Sequence, residues 1–302
     1  MKHSIKYFKI TFFCIFALIL FGCATVEETL YLRQAQVTGP IMCPPIHLTD
    51  TTDAPSLTVS PRFTFNTKKS FTGDVEQRTD YYRSDTAFIP FENSLEWDIT
   101  KINAGIDLDL ALSNKFAITF GAVYSSNSNY SNWGGNIGLG FFGYKNETAF
   151  RFDAGIQINT MDYDAYTVVH TRVTSYWGDV DEYTGFYHDV GNSTQVDPYF
   201  SLTFNTAFKN WLLNFFINAG YSVQRLFNFE PETTYWFWGP YTSTDLRGSS
   251  TAGFFNFTPG IYFFLGESNR ILFGTRFFVE TLIDKGNPKL FILPMIQLDF
   301  KL

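Results

Sequence analysis

The sequence predicts an all-β fold: an antiparallel up-and-down barrel of about ten strands, with twelve as the alternative count, crossing a lipid bilayer. Three observations predict it. Apolar residues recur with a period of two from Leu57 to the last residue, Leu302. Aromatic residues make up 19% of the chain, with Phe 35 and Tyr 17, yet the mean hydropathy is only -0.06, as expected of strands that are apolar on one face and polar on the other. The segments joining the apolar runs alternate long and short, which suits strands that turn tightly on one side of a membrane and loop freely on the other.

The N-terminal element comes first and is not part of that pattern. Lys2, Lys6 and Lys9 precede the apolar run Ile10 to Leu20, which is shorter than the roughly 20 residues a membrane-spanning helix needs. The run ends in Leu20-Phe21-Gly22-Cys23. These four residues resemble the lipobox of bacterial lipoproteins, which implies a signal peptide over 1–22 and a lipid on Cys23. Ala24 stands where enteric lipoproteins retained in the inner membrane carry Asp, so the resemblance implies sorting to the outer membrane. Removal of the three lysines takes the net charge from -7 to -10, which excludes nucleic acid as a natural partner. Cys14 leaves with the signal and Cys23 carries the lipid, so Cys43 has no partner for an intramolecular disulfide. No Cys/His cluster suggests zinc, and neither a metal nor a cofactor is expected. Residues 23–55 carry Pro40, Pro44, Pro45 and Pro55 without a sustained period, and read as a lipidated linker or a partial plug.

The barrel is expected over 56–302. Its first run places Leu57, Val59, Phe63 and Phe65 on one face, with Pro61 in the same phase. The second has Leu95, Trp97 and Ile99, then slips phase to Ile102, Ala104, Ile106, Leu108, Leu110 and Leu112, the signature of a β-bulge near Thr100 and Lys101. Phe116 to Tyr124 forms the third, and the fourth sets Ile137, Leu139 and Phe141 against Gly138 and Gly140. In the fifth, Phe150, Phe152, Ala154, Ile156 and Ile158 alternate with Arg151, Asp153, Gly155, Gln157 and Asn159. Phe200, Leu202 and Phe204 mark the sixth, Leu213 to Val223 the seventh, Phe255 to Phe263 the eighth, Phe273 to Val279 the ninth and Leu290 to Leu302 the tenth. These runs match the roughly 9 to 11 residues a tilted strand needs. None of the apolar rows contains a charge.

Outward-phase Trp97, Tyr124 and Tyr221 at one end of their strands, and Trp211 at the other, are placed as an aromatic girdle. The chain ends in Leu298-Asp299-Phe300-Lys301-Leu302, apolar in alternation to the last residue. With these features the chain resembles the bacterial outer-membrane β-barrels. That resemblance implies short periplasmic turns, long external loops, contact with outer-membrane lipid, and recognition of the C-terminal strand by the assembly machinery. An even strand count puts both termini on the periplasmic side, where a lipid at Cys23 enters the inner leaflet. The rival fold is a soluble secreted β-sandwich or lipocalin-like barrel, with the apolar rows inside.

Three groups of residues invite function. Inward-phase Arg62, Asp107, Arg151, Asp153, Arg276 and Glu280, with Asp109, Gln157, Asn214, Asn218 and Asp299, predict a polar lumen, either salt-bridged shut or lining a narrow channel for small solutes. The segment 160–194 holds His170 and His188 among Asp162, Asp164, Asp179, Asp181, Glu182 and Asp189. The ten-stranded omptin proteases place Asp and His at the external rim, so a rim hydrolase is a third reading, although no omptin motif aligns with these residues. Within that segment, Tyr166 to Trp177 alternates as a strand extended above the membrane. Finally, Tyr235, Trp236 and Trp238, with Tyr176 and Trp177, form aromatic loops suited to a glycan or other surface ligand, or to a lid. The leading expectation is a structural or surface-interaction role, with enzymatic activity left open.

Overall fold

The computed structural model describes residues 25–49, 54–67, 70–73, 76–80, 94–126, 131–174, 179–208, 211–229, 245–280 and 289–302. The described strands are β1 (Thr25–Gly39), β2 (Ser56–Phe65), β3 (Ser70–Gly73), β4 (Glu76–Asp80), β5 (Ser94–Ile99), β6 (Ile102–Ala111), β7 (Phe116–Ser126), β8 (Ser131–Lys145), β9 (Thr148–Thr174), β10 (Val180–Thr206), β11 (Asn214–Phe229), β12 (Asp245–Leu265), β13 (Asn269–Glu280) and β14 (Leu290–Lys301). Ten of them close a ring in the order β2, β6, β7, β8, β9, β10, β11, β12, β13, β14, and β14 returns to β2. Every pairing around that ring is antiparallel. Closure leaves no open edge, the condition a sheet must meet to sit in lipid.

The alternating rows sort inside from outside. Phe150, Ile156, Ile158, Phe200, Leu202, Phe204, Phe215, Ile217, Phe255 and Phe257 stand exposed on the outer face, while the polar residues between them are buried. A soluble barrel would show the reverse, so the lipocalin-like alternative is excluded by the side on which the apolar rows lie. On β9 and β10 the outer row is apolar from Phe150 to Ile158 and from Val196 to Phe204. It turns polar at Thr160, Asp162 and Asp164, opposite Thr194, Asn192 and Val190.

At one end the connections are tight. Asn146 and Glu147 both adopt positive φ, 49° and 64°, the left-handed pair that a two-residue hairpin turn requires. Gly266, with φ 81°, occupies the corresponding bend between β12 and β13. Ring ends Ser56 and Leu302 lie at this end, where Leu57 and Leu302 exchange backbone hydrogen bonds. At the other end β9 and β10 pair without a break to Thr174 and Val180, each over 27 residues. Roughly 10 residues suffice to cross the hydrocarbon, so the segment expected as a strand extension is a paired hairpin projecting well beyond the apolar belt.

Two expectations are corrected here. The phase slip near Thr100 is not a bulge within one strand: β5 and β6 are separate strands, and only β6 belongs to the ring. β5 pairs in parallel with β1, and β1 lies against β9 where that strand outruns β8. The free edge of the projecting hairpin is thereby hydrogen-bonded rather than left bare. Consequently Leu95, Trp97 and Ile99 do not face lipid. Trp97 is fully buried, its Nε1 donating to the Gly39 carbonyl at 3.2 Å, and it is no part of a girdle. Tyr124 does stand on the outer face, its ring tilted against Trp133 at 4.7 Å, and Trp211 lies at the tight-turn end against Phe208 at 4.5 Å.

Candidate functional site

The lumen is filled, and what fills it is the chain's own N-terminal segment. From Val37 to Thr49 every residue is buried. After β1, residues 40–49 run extended through the barrel without strand pairing, so their backbone groups need other partners. Inward side chains of the wall supply them. Asn132 Nδ2 donates to the Thr38 carbonyl at 2.8 Å. Gln224 of β11 donates to the Pro40 carbonyl at 2.8 Å and accepts from the Met42 amide at 3.0 Å. Arg62 of β2 donates to the Cys43 carbonyl at 3.2 Å and Arg276 of β13 to the Pro44 carbonyl at 2.7 Å. Gln297 of β14 reaches the Ile46 carbonyl at 2.8 Å. Asn205 of β10 clasps Thr49 from both sides, accepting from its amide at 3.2 Å and donating to its carbonyl at 2.8 Å. Pro40, Pro44 and Pro45 suit such a path, because proline brings no amide hydrogen that would need an acceptor.

Around this thread the lumen is layered. Towards the long-hairpin end, Trp97, Phe254, Phe278, Phe291 and Leu293 pack with Val37, Ile41 and Cys43 in one apolar cluster, and Phe254 meets Phe278 and Phe291 edge-on at 5.9 and 6.1 Å. Towards the tight-turn end Ile46 and Leu48 pack among Phe216, Tyr262, Leu272 and Met295. The predicted lumen charges lie among these layers. Arg62 Nε meets Asp107 at 2.7 Å. Arg151 is held by two carboxylates, Asp109 at 2.7 and 2.9 Å through both terminal nitrogens, and Asp153 at 2.9 and 3.0 Å through Nε. Gly138 and Gly140 are inward neighbours on the wall. A Cβ on Gly140 would lie 2.4 Å from Arg151 Nη2 and 2.8 Å from the Asp153 carboxylate, which is why that position has no side chain.

The six candidate lumen residues therefore do not form one network. Arg62 and Asp107 make one pair, Arg151 and Asp153 join Asp109 in another group, and Arg276 faces the Pro44 carbonyl and the Met295 sulfur at 3.3 Å. Glu280 is buried at the opposite end of β13 from Arg270. What the alternation hid is the set of inward apolar residues, Phe216, Phe254, Phe278, Phe291 and Leu293, which occupy the polar phase because they face the thread rather than water. Cys43 is buried within that thread.

At the rim, His188 Nε2 lies 2.7 Å from Asp164 Oδ1 and its ring stacks on Tyr166 at 4.5 Å. Tyr163 donates to Asp189 at 3.2 Å, and burial first, then the Asp189 charge, hold its hydroxyl above the usual tyrosine range. Asp164, Tyr166 and His188 continue the outward rows of β9 and β10, so the His–Asp pair is on the outside of the hairpin. Cys23, Tyr176, Trp177, Tyr235, Trp236 and Trp238 lie outside the described residues, as does the side chain of His170.

No protein-family model matches the chain, and no curated protein matches it. Solved structures do. The chain is similar to the outer membrane protease OmpT of Escherichia coli at 7% identity and a TM-score of 0.39, covering 84% of this chain and 97% of that one. It is also similar to a deltaS2 mutant of the monoaromatic hydrocarbon channel TodX, at 6% identity and a TM-score of 0.31 over 83% of this chain and 90% of that one. OpdQ of Pseudomonas aeruginosa follows at 10% identity and 0.23, over 82% of this chain and 67% of that one.

Proposed function

We propose that this chain is a closed, lipid-anchored barrel of the bacterial outer membrane, serving a structural or surface-interaction role through its projecting hairpin and aromatic loops. The observation that carries the proposal is the occupied lumen: residues 37–49 are buried and pack into two apolar layers with inward side chains of the wall, so that among the described residues chain and side chains stand where a pore would run. Placement in the outer membrane is supported by the uncharged, exposed apolar belt and by the tight turns described at the end where Leu302 lies. Lipidation rests on Leu20 to Cys23, and contact with a glycan or other surface ligand on Tyr176, Trp177, Tyr235, Trp236 and Trp238. Engagement of the assembly machinery by the last strand rests on the alternation of β14 up to Leu302.

Conductance in planar bilayers tests the closed lumen. The purified chain is expected to be silent, and steady conductance from it would refute the proposal. For the surface role, replacing Trp236 and Trp238 with Ala should weaken binding of the cognate glycan to whole cells. Unchanged binding with faster loop proteolysis would assign these residues to a lid instead.

A narrow channel is the second reading, favoured by one feature. The thread is held mainly by separate wall side chains gripping its backbone, and residues 40–49 pair with no strand, so it is the part of the structure that could leave without breaking the ring. A chain lacking residues 40–49 would then conduct. The rim-hydrolase reading has less support, since His188 and Asp164 sit on the outer face of the hairpin rather than over the lumen.

A further inference from the structure

Two guanidinium groups meet the thread where it passes between the two apolar layers of the lumen. Arg62 of β2 and Arg276 of β13 donate through Nη1 to the adjacent carbonyls of Cys43 and Pro44, at 3.2 and 2.7 Å. Their charge is not matched there. Arg62 has a carboxylate, Asp107, at 2.7 Å from its Nε, and Asp107 also accepts from Asn136 at 3.3 Å. Arg276 is fully buried, and among the described residues it faces neutral acceptors alone, the Pro44 carbonyl and, through Nε, the Met295 sulfur at 3.3 Å. In both arginines Nη2 is buried and has no hydrogen-bond partner. Two buried cations against one carboxylate leave an excess positive charge. A guanidinium taken out of water without a counter-charge is among the most costly arrangements a fold can hold.

Beside the thread lies a small cavity lined by Arg62 with Ile41, Cys43, Thr64, Asn103 and Val123, with room for about one water-sized particle. Thr64 accepts from Asn103 at 3.4 Å and so keeps its own hydroxyl hydrogen to donate. Water at this point would supply hydrogen bonds and no charge. A halide supplies the charge, takes its donors from one side and tolerates the apolar atoms of Ile41 and Val123 on the other, whereas an oxyanion brings several oxygens that each need a donor. We propose that the barrel binds a small inorganic anion of the chloride class here, held by the Nη2 groups of Arg62 and Arg276. Because β14 stands between β2 and β13 in the ring, the ion ties two separated wall strands to the thread. Its occupancy thereby fixes the thread in the lumen.

The test refolds the full chain from urea into detergent in sodium chloride or in sodium gluconate of equal ionic strength, so that the anion has access before the ring closes. Chloride at about 100-fold its dissociation constant should raise the melting temperature by roughly 5–10 °C over gluconate. The rise should saturate, and alkylation of Cys43 by a small maleimide should slow in parallel. In Arg276→Met the charge is gone and both responses should disappear. Arg276→Lys keeps a charge without the planar fork, and should need more chloride for the same rise; it decides the matter if the Met variant does not fold. Equal melting temperatures of the unaltered chain in the two salts overturn the proposal. So does a chloride response that either variant leaves unchanged. A chloride-independent barrel that loses stability in Cys43→Ser would assign the counter-charge to the Cys43 thiolate and overturn it too. Crystals grown in bromide supply the position: an anomalous peak within hydrogen-bond distance of both Nη2 atoms is expected, and peaks at the surface alone refute the site.

Discussion

Arg151 illustrates what a charge in this lumen requires. It is almost fully buried, and both its partners, Asp109 of β6 and Asp153 two residues along β9, are carboxylates. Removing one member of a buried ion group leaves the others desolvated without a counter-charge, at a cost of about 3–5 kcal/mol. Arg151→Met should therefore lower the unfolding free energy of the detergent-folded barrel, read from its urea titration, by that amount, with the midpoint falling accordingly, and the double change with Asp109→Asn should recover part of it. A midpoint unmoved by Arg151→Met would mean that water reaches the group. The triplet was legible only in part: the inward phase of Arg151, Asp153 and Asp109 follows from alternation, whereas which carboxylate meets which guanidinium depends on strand register. Tyr163 offers a second residue-level test, outside the membrane belt. Its hydroxyl titrates above its unfolded value of about 10, so the folded state holds that proton more tightly. The stabilisation is complete below about pH 10 and is lost as pH rises through the folded value. Tyr163→Phe should flatten the alkaline limb of a stability-versus-pH curve in that window, and an unchanged limb would assign the loss to other groups.

At the scale of elements, the thread and β5 are where the chain departs from simple alternation. Trp97 keeps the alternating pattern yet lies inside, because β5 is laid beside β1 on a part of the sheet that the ring strands have already left. Its indole spans Gly39 and Phe254 at the point where the thread leaves β1. Trp97→Ala should cost about 3–5 kcal/mol and loosen the thread below it. Cys43 gives the readout: its thiol, buried in the intact barrel, should react with a small maleimide markedly faster in the variant. Equal rates would show that the thread is held independently of Trp97. The proline-rich stretch 40–45 was readable as aperiodic, and hence as linker or plug, but its destination was not, since the wall hydrogen bonds that hold it come from β2, β11 and β13.

For the whole molecule, the membrane boundary is the consequence of one row changing character between Ile158 and Thr160. A cation inside that boundary costs about 2–4 kcal/mol, while one above it costs little. Phe200→Arg, on the outer row of β10, should accordingly reduce folding yield into lipid bilayers, whereas Val190→Arg on the same strand should leave it unchanged. Equal effects would move the boundary. The sequence by itself determined that the fold is all-β, that about ten amphipathic strands build it, and which residues of β6 to β14 share the apolar face. These are properties of local alternation and of strand length against bilayer thickness, and each strand carries them on its own. Tertiary structure alone decided that the lumen is filled, that β5 and β1 lie outside the ring, and that the N-terminal segment enters from the rim opposite Leu302. The reason is physical: an inward position is the same distance from the strand axis whether it meets water, a counter-charge or another stretch of chain. Only the arrangement of all the strands together says which of these it meets.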